Sequence, residues 1–222
     1  MHSLLSLKKI LVDNFDMRVS EITLFYDVKQ RIIPIMTPEE KILYFEYTIS
    51  KLLDWYKQLG NDESKNNFSV LKSLKLLFFV SAAKAEPGKK SLLLEDVFTD
   101  FYALPYGHVE SVIYDSIKGE GGNLKYFKLS SIGLSVNDVG EDDSFKNLDN
   151  NIKQEIDDSI DYLKSKNKYL VTMFPFDLVN LSHAWYSWQQ YYKIAKGSGN
   201  SSIHIPPDVI KDENKIFTLS VF

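Results

Sequence analysis

From Thr37 onward the apolar residues recur at helical spacing, and the polar and turn-forming residues between them divide the chain into elements. Thr37-Pro38-Glu39-Glu40 combines a capping threonine, a proline at the first helical position and a glutamate three residues after the threonine, which together satisfy the free amides of a starting helix. Ile42, Phe45, Ile49, Leu52, Leu53 and Tyr56 follow at three- and four-residue steps, so the pattern predicts a helix that Gly60 ends. A polar loop over 61–67 leads through Phe68-Ser69 into a second helix reaching about Ala85, stopped by Pro87-Gly88. Leu74, Leu76, Leu77, Phe78, Phe79 and Val80 make that helix apolar on most sides, which marks it as the central core helix. Past Gly88-Lys89-Lys90-Ser91 a third helix is predicted, with Leu94, Val97, Phe98 and Phe101 as its buried stripe and Pro105 and Gly107 as its breakers. A short helix over about 108–118 then turns Val109, Val112 and Ile113 inward.

Gly119-Glu120-Gly121-Gly122 interrupts the helical pattern. Residues 124–129 and 132–136 read as short extended pieces that form a small antiparallel element. Ile152, Ile156, Ile160 and Leu163 give an amphipathic helix over about 149–166, and 176–195 is a last helical region, open to a bend, ended by Gly197-Ser198-Gly199-Asn200. The apolar tail 216–222 is strand-like and is expected to pair with another strand, because an unpaired edge of that composition is sticky. Residues 1–36 are patterned less clearly, with a helical stretch over 3–15 and alternation over 22–35 that suggests a pair of strands. The expected fold is mainly α, a compact multi-helix domain over 37–222 with a small antiparallel β element, preceded by an N-terminal extension over 1–36.

Composition narrows the chemistry. With 44% hydrophobic and 14% aromatic residues in 222, the chain can bury a core without covalent staples. The absence of cysteine excludes disulfides, thiolate nucleophiles and Cys-type zinc sites. Lys8 and Lys9 interrupt the apolar N-terminus, and the longest apolar run, 76–83, falls far short of the roughly 20 residues of a membrane span. A cytoplasmic protein with no membrane partner is expected. A net charge of −4 argues against a nucleic-acid partner, whose affinity would come from basic side chains on phosphates. The imbalance is local: Asp138, Glu141, Asp142, Asp143, Asp149, Glu155, Asp157, Asp158 and Asp161 face only Lys146 and Lys153 between them. Two readings stay open, a solvated loop and helix face, or an acidic surface that steers a basic partner, with Glu141, Asp142 and Asp143 as its core.

No catalytic, cofactor or metal constellation stands out. His2, His108, His183 and His204 lack metal-ligand spacing, and there is no His-Glu-x-x-His and no Gly-x-Ser-x-Gly. The glycine- and serine-rich 197–202 lacks the lysine and following helix of a phosphate loop. A serine, histidine and acid relay needs no fixed spacing, so that question passes to the geometry. His183 and Trp188, amid Trp185, Tyr186, Tyr191 and Tyr192, read as packing residues. Gly107 supplies a backbone turn that other residues resist. The aromatic approach to it, Phe98, Phe101 and Tyr102, leaves open an exposed edge suited to gripping a partner.

Three blocks carry a resemblance: Lys75-Leu76-Leu77-Phe78-Phe79, Tyr106-Gly107-His108-Val109, and Leu178-Val179 with Leu181-Ser182-His183 followed five residues on by Trp188. In that order the chain resembles the Panacea antitoxin domain, also met as SocA-like or phage-associated GepA-like proteins, with Ile203 and Ile205 matching a later isoleucine-led segment. His108 stands where the family's Tyr-Gly-Pro-Val block has proline, which makes this a divergent member; the resemblance covers about 38–216. It implies a mainly helical domain with a small β element and no catalysis, the antitoxin half of a bacterial or prophage toxin–antitoxin pair. It also implies a cognate toxin as partner, neutralised by direct binding. SocA-like members act instead as adaptors that deliver the toxin to a ClpXP-type protease, and a non-enzymatic phage scaffold is a further alternative; self-association is left open. The motif and interface candidates are Phe101, Tyr102, Tyr106, Gly107, His108, Val109, Ser182, His183 and Trp188.

Overall fold

The computed structural model describes residues 36–119, 124–137 and 144–219. The chain divides into two units, residues 1–35 and 36–222. The helix expected over 3–15 and the strands expected over 22–35 therefore lie outside the described residues, as do Glu141, Asp142 and Asp143.

Helix α1 spans Pro38–Gln58 and opens with the expected capping box: Thr37 Oγ1 accepts from the Glu40 amide at 3.2 Å, and Glu40 Oε2 accepts from the Thr37 amide at 2.9 Å. Helix α2, Val70–Ala82, is capped by Ser69, whose hydroxyl accepts from the Lys72 amide. Its run from Leu76 to Val80 is completely buried, as a helix apolar on most sides must be. Helix α4, Asn150–Lys166, starts where Asp149 Oδ1 accepts the Asn151 and Ile152 amides and buries Ile156, Ile160 and Leu163. Between α2 and α4 come helix α3, Ser111–Lys118, and a hairpin of β3, Phe127–Leu129, with β4, Leu134–Val136, antiparallel as expected. The buried carboxylate of Glu46 on α1 holds that hairpin by accepting the Tyr126 and Phe127 amides at 2.6 and 3.2 Å.

The third predicted helix is not formed. A single π-type turn over Leu93–Val97 gives way to strand β1, Phe101–Leu104, which turns through Pro105-Tyr106 into β2, Gly107–Glu110. A third strand, β5 (Ile203–His204), pairs on the other edge of β1, so the sheet runs β2-β1-β5 with antiparallel neighbours. The reason is local: Phe101 to Leu104 alternate buried and half-buried, and Pro105 and Gly107 favour a two-residue reversal. Phe101, Tyr102, His108 and Val109 are thus strand residues, and α3 starts at Ser111, capped by Glu110 Oε2, which accepts the Ile113 amide at 2.8 Å. The foot of this hairpin is fixed by buried Lys41, whose Nζ lies 2.7 Å from Glu110 Oε1 and 2.8 Å from Asp100 Oδ2. Burial pushes the Glu110 carboxyl up against the opposing pull of Lys41.

The last helical region is broken into α5, Pro175–His183, and α6, Tyr186–Gly197. At the break Trp185 is extended and fully buried, and its indole Nε1 donates to the Ile216 carbonyl at 2.8 Å. A short helix α7, Pro207–Asp212, follows β5. The tail does not form the expected strand over 216–219; instead Phe217 is buried edge-on against Trp185 at 5.8 Å, and its carbonyl accepts from Asn167 Nδ2. Side-chain packing, not a ladder, covers this apolar segment; 220–222 lie outside the described residues. The fold is mainly helical with small antiparallel β elements. Among the described residues no helix is long and apolar enough to cross a membrane.

Candidate functional site

Lys75 on α2, Gly107 on β2 and Ser182 on α5 meet at one point in the core. Gly107 has φ +94°, and a Cβ placed on it would lie 2.9 Å from Ser182 Cβ and 3.3 Å from Lys75 Cε. Glycine is required twice over, for a backbone conformation that side chains resist and for the close approach of two neighbouring elements.

His108, next along β2, completes the cluster. Its ring stacks on Phe78 of α2 at 3.7 Å with 5° between planes. Its amide donates to Ser182 Oγ at 3.1 Å, and its carbonyl accepts from Lys75 Nζ. Its ring nitrogens lie 2.9 Å from Ser182 Oγ (Nδ1) and 2.8 Å from Ser187 Oγ (Nε2). Ser182 Oγ accepts the His108 amide and pairs with Nδ1, and Ser187 Oγ pairs with Nε2, so both ring nitrogens are satisfied by hydroxyls whichever of them carries the proton. Glu213 ends the chain of bonds, its Oε2 accepting the Ser187 amide at 3.0 Å. Burial holds the His108 imidazole well below its usual pKa, reinforced by the charges of Lys75 and His183. Burial alone lowers the Lys75 ammonium to about 7, and burial raises the Glu213 carboxyl.

The serine, histidine and acid here are wired in the wrong order for nucleophilic catalysis. In a relay the acid orients the histidine and the serine faces substrate. In this cluster the histidine lies between two serines, the acid holds a serine, and Ser182, Ser187 and His108 are all fully buried. The arrangement ties β2 to α2, α5, α6 and the segment after α7. Among the described residues no group of three or more His, Asp or Glu side chains is placed to hold a metal ion.

The remaining expected site residues divide by exposure. His183 stacks on Trp188 at 3.7 Å, Trp188 stacks on Tyr192 at 4.9 Å, and Trp188 Nε1 donates to the Leu104 carbonyl at 2.8 Å, so this column fastens α6 to the hairpin. Phe101 and Val109 are buried, and Tyr102 is half-buried against His204. Of the nine motif and interface candidates, Tyr106 is the one that projects, at 57% exposure. Its ring lies 6.3 Å from that of Phe176, itself 64% exposed, and Phe174 at the start of α5 is 71% exposed. Phe174 and Phe176 were not among the expected residues. Their signal is Phe174-Pro175-Phe176: a proline at the first helical position puts its neighbours at a helix end, where neither is needed by the core.

The described acids of the 138–161 stretch make internal contacts. Asp149 caps α4, Asp157 accepts from Tyr47, Asp158 pairs with Lys84, and Asp161 with Lys164. Glu155 accepts from the Ser91 hydroxyl and the Leu92 and Leu93 amides. Comparison of the chain with protein-family models, with curated proteins and with solved structures yields no match.

Proposed function

We propose that this protein is the antitoxin of a toxin–antitoxin pair and that it neutralises a cognate toxin by binding it, without catalysis of its own. The observation that supports this is the meeting of Lys75, Gly107 and Ser182, one from each of the three blocks that resemble the Panacea domain. Three short strings matched by accident have no reason to converge in space, whereas the residues of a shared fold depend on one another. His108, in place of the family's proline, extends the cluster through its ring. On this reading the pair meets in the cytoplasm and the exposed aromatic rings beside the cluster face the toxin.

The test is co-expression with the product of the adjacent gene. Restored growth and a complex on gel filtration are expected. Toxicity undiminished by this protein, with no complex formed, would reject the proposal. Rescue that disappears in cells lacking a ClpXP-type protease would replace neutralisation by blocking with delivery for degradation.

A further inference from the structure

Three helices close on His108, and the groups they bring to it are bases or neutral. From α2, Phe78 stacks on its ring and Lys75 Nζ donates to its carbonyl. From α5 and α6, Ser182 and Ser187 occupy its two ring nitrogens, so no carboxylate does. His183, next to Ser182, stacks on Trp188, and its Nε2 is buried with no hydrogen-bond partner among the described residues. Trp185 packs edge-on against His108 at 6.2 Å, and Lys215 lies 5.7 Å from the Trp185 ring. Two acids flank the cluster. Glu110, two residues along β2, is held by Lys41. Glu213 takes the Ser187 amide, and burial raises its carboxyl, so it gives up its charge early as pH falls.

A neutral cluster of this kind holds together and a protonated one does not. A proton on either histidine places a cation near Lys75 where burial excludes water, and a proton at His183 Nε2 finds no acceptor. Parting returns the rings to solvent and removes that cost. What parts is the hairpin of β1 and β2 from α5 and α6: across that junction the His108 amide donates to Ser182, and Trp188 Nε1 donates to the Leu104 carbonyl. The same junction sets the two exposed rings of Tyr106, at the hairpin tip, and Phe176, on α5, 6.3 Å from each other.

We infer that this junction is an acid latch: it holds the hairpin on α5 and α6 while its histidines are neutral, and it releases the hairpin, dispersing the surface of Tyr106 and Phe176, once they take up protons. The latch operates independently of what the chain binds, and its test needs no toxin. Proton linkage sets its direction. A released histidine takes up its proton near the ordinary value of 6.5, whereas burial, reinforced by Lys75, holds His108 neutral well below that and lowers His183 too. The released state therefore binds more protons. Opening grows as pH falls through about 6.5, by up to about tenfold per pH unit for each histidine, and above about pH 7 the histidines leave the latch closed. His183 is half-buried, so its share is the smaller.

The experiment follows hydrogen exchange in the full-length protein by NMR at about pH 7.5 and about pH 5.5, corrected for the intrinsic exchange rate. The His108 amide and the Trp188 indole report the junction, and the amide of buried Ile160 reports α4. Opening at the two junction reporters is expected to rise about tenfold or more at the lower pH while Ile160 stays protected. The His108 ring resonances should keep their neutral positions until the reporters exchange. H108Q and H183Q replace a titrating base by a neutral amide, and they should remove the larger and the smaller part of the rise. If H108Q fails to fold, the wild-type resonances and H183Q still decide. Four results would each overturn the inference: His108 protonated near pH 6.5 with both reporters protected, reporters as protected in acid as at neutrality, a rise undiminished in every variant that folds, or exchange of the reporters only together with Ile160.

Discussion

Replacing Gly107 with alanine tests the core cluster at its tightest point. Two separate costs are expected. The first is conformational: at φ +94° an L-residue is strained whatever the space around it, at about 1–3 kcal/mol. The second is steric, because the new Cβ would sit 2.9 Å from Ser182 Cβ and 3.3 Å from Lys75 Cε. Ser182 is fully buried and bonded to both the amide and the ring of His108, so it cannot retreat without loosening those bonds. Overpacking of this kind costs about 1–3 kcal/mol. The sum, about 2–6 kcal/mol, is a large share of the stability of an ordinary domain. Urea denaturation of G107A, S182G and G107A/S182G separates the two parts. In the double variant the clash with Ser182 is relieved while the strain and the approach to Lys75 Cε remain, so the two substitutions should couple by about 1–3 kcal/mol in the favourable direction. Additive effects would show that Ser182 does not confine the glycine. A G107A protein as stable as wild type would refute the whole account of the turn.

Stability should also rise with pH above neutrality, because Lys72 and Lys75 are buried with no carboxylate partner among the described residues and burial lowers both to about 7. Between about pH 7 and the ordinary lysine range the unfolded chain holds protons that the folded one has released. Each lysine then adds up to about 1.4 kcal/mol per pH unit, with no lysine contribution to the slope below about pH 7. Urea denaturation at about pH 7 and about pH 9 reads this, K75M should remove part of the slope, and a flat profile across that window would count against it. Trp188→Ala should cost about 2–3 kcal/mol, less than for a fully buried ring, since the residue is half-buried but loses two stacking partners and the bond to the Leu104 carbonyl. A variant of unchanged stability that no longer binds the partner would make Trp188 an interface residue instead.

The long amphipathic helices α1, α2 and α4 were legible because their periodicity repeats over several turns and their caps are local. The hairpin was not. Leu94, Val97, Phe98 and Phe101 have the spacing of a helical stripe, and a four-residue strand is too short to declare its own period. Pro105 and Gly107 have the composition of helix breakers, yet they bracket a strand reversal. The break at Ala184-Trp185 has no glycine or proline to announce it. Its causes lie far along the chain, in the Ile216 carbonyl that receives the Trp185 indole and in Glu213, which accepts the Ser187 amide at the start of α6. Likewise the tail has the composition of a strand, yet Phe217 finds its partners in Trp185, Phe79 and Tyr162. At the site, the sequence marks Gly107 as a turn, but its contact with Ser182 joins residues 75 apart and appears only in three dimensions.

One hairpin faces two ways. Its β2 strand is buried along its whole length, with Gly107 and His108 held by α2, α5 and α6, while its tip carries Tyr106 into solvent beside Phe176. The buried residues of the cluster present no surface of their own; they fix the place from which Tyr106 projects into solvent. The same clamp fixes α5, since Ser182 lies on the helix that begins beside Phe174. If Tyr106 and Phe176 meet the toxin, substitutions in the cluster should reduce neutralisation in proportion to lost stability, and substitutions of those two rings should reduce it with stability unchanged. The two kinds of defect are separable by melting temperature, and they would distinguish a residue that builds the surface from one that uses it.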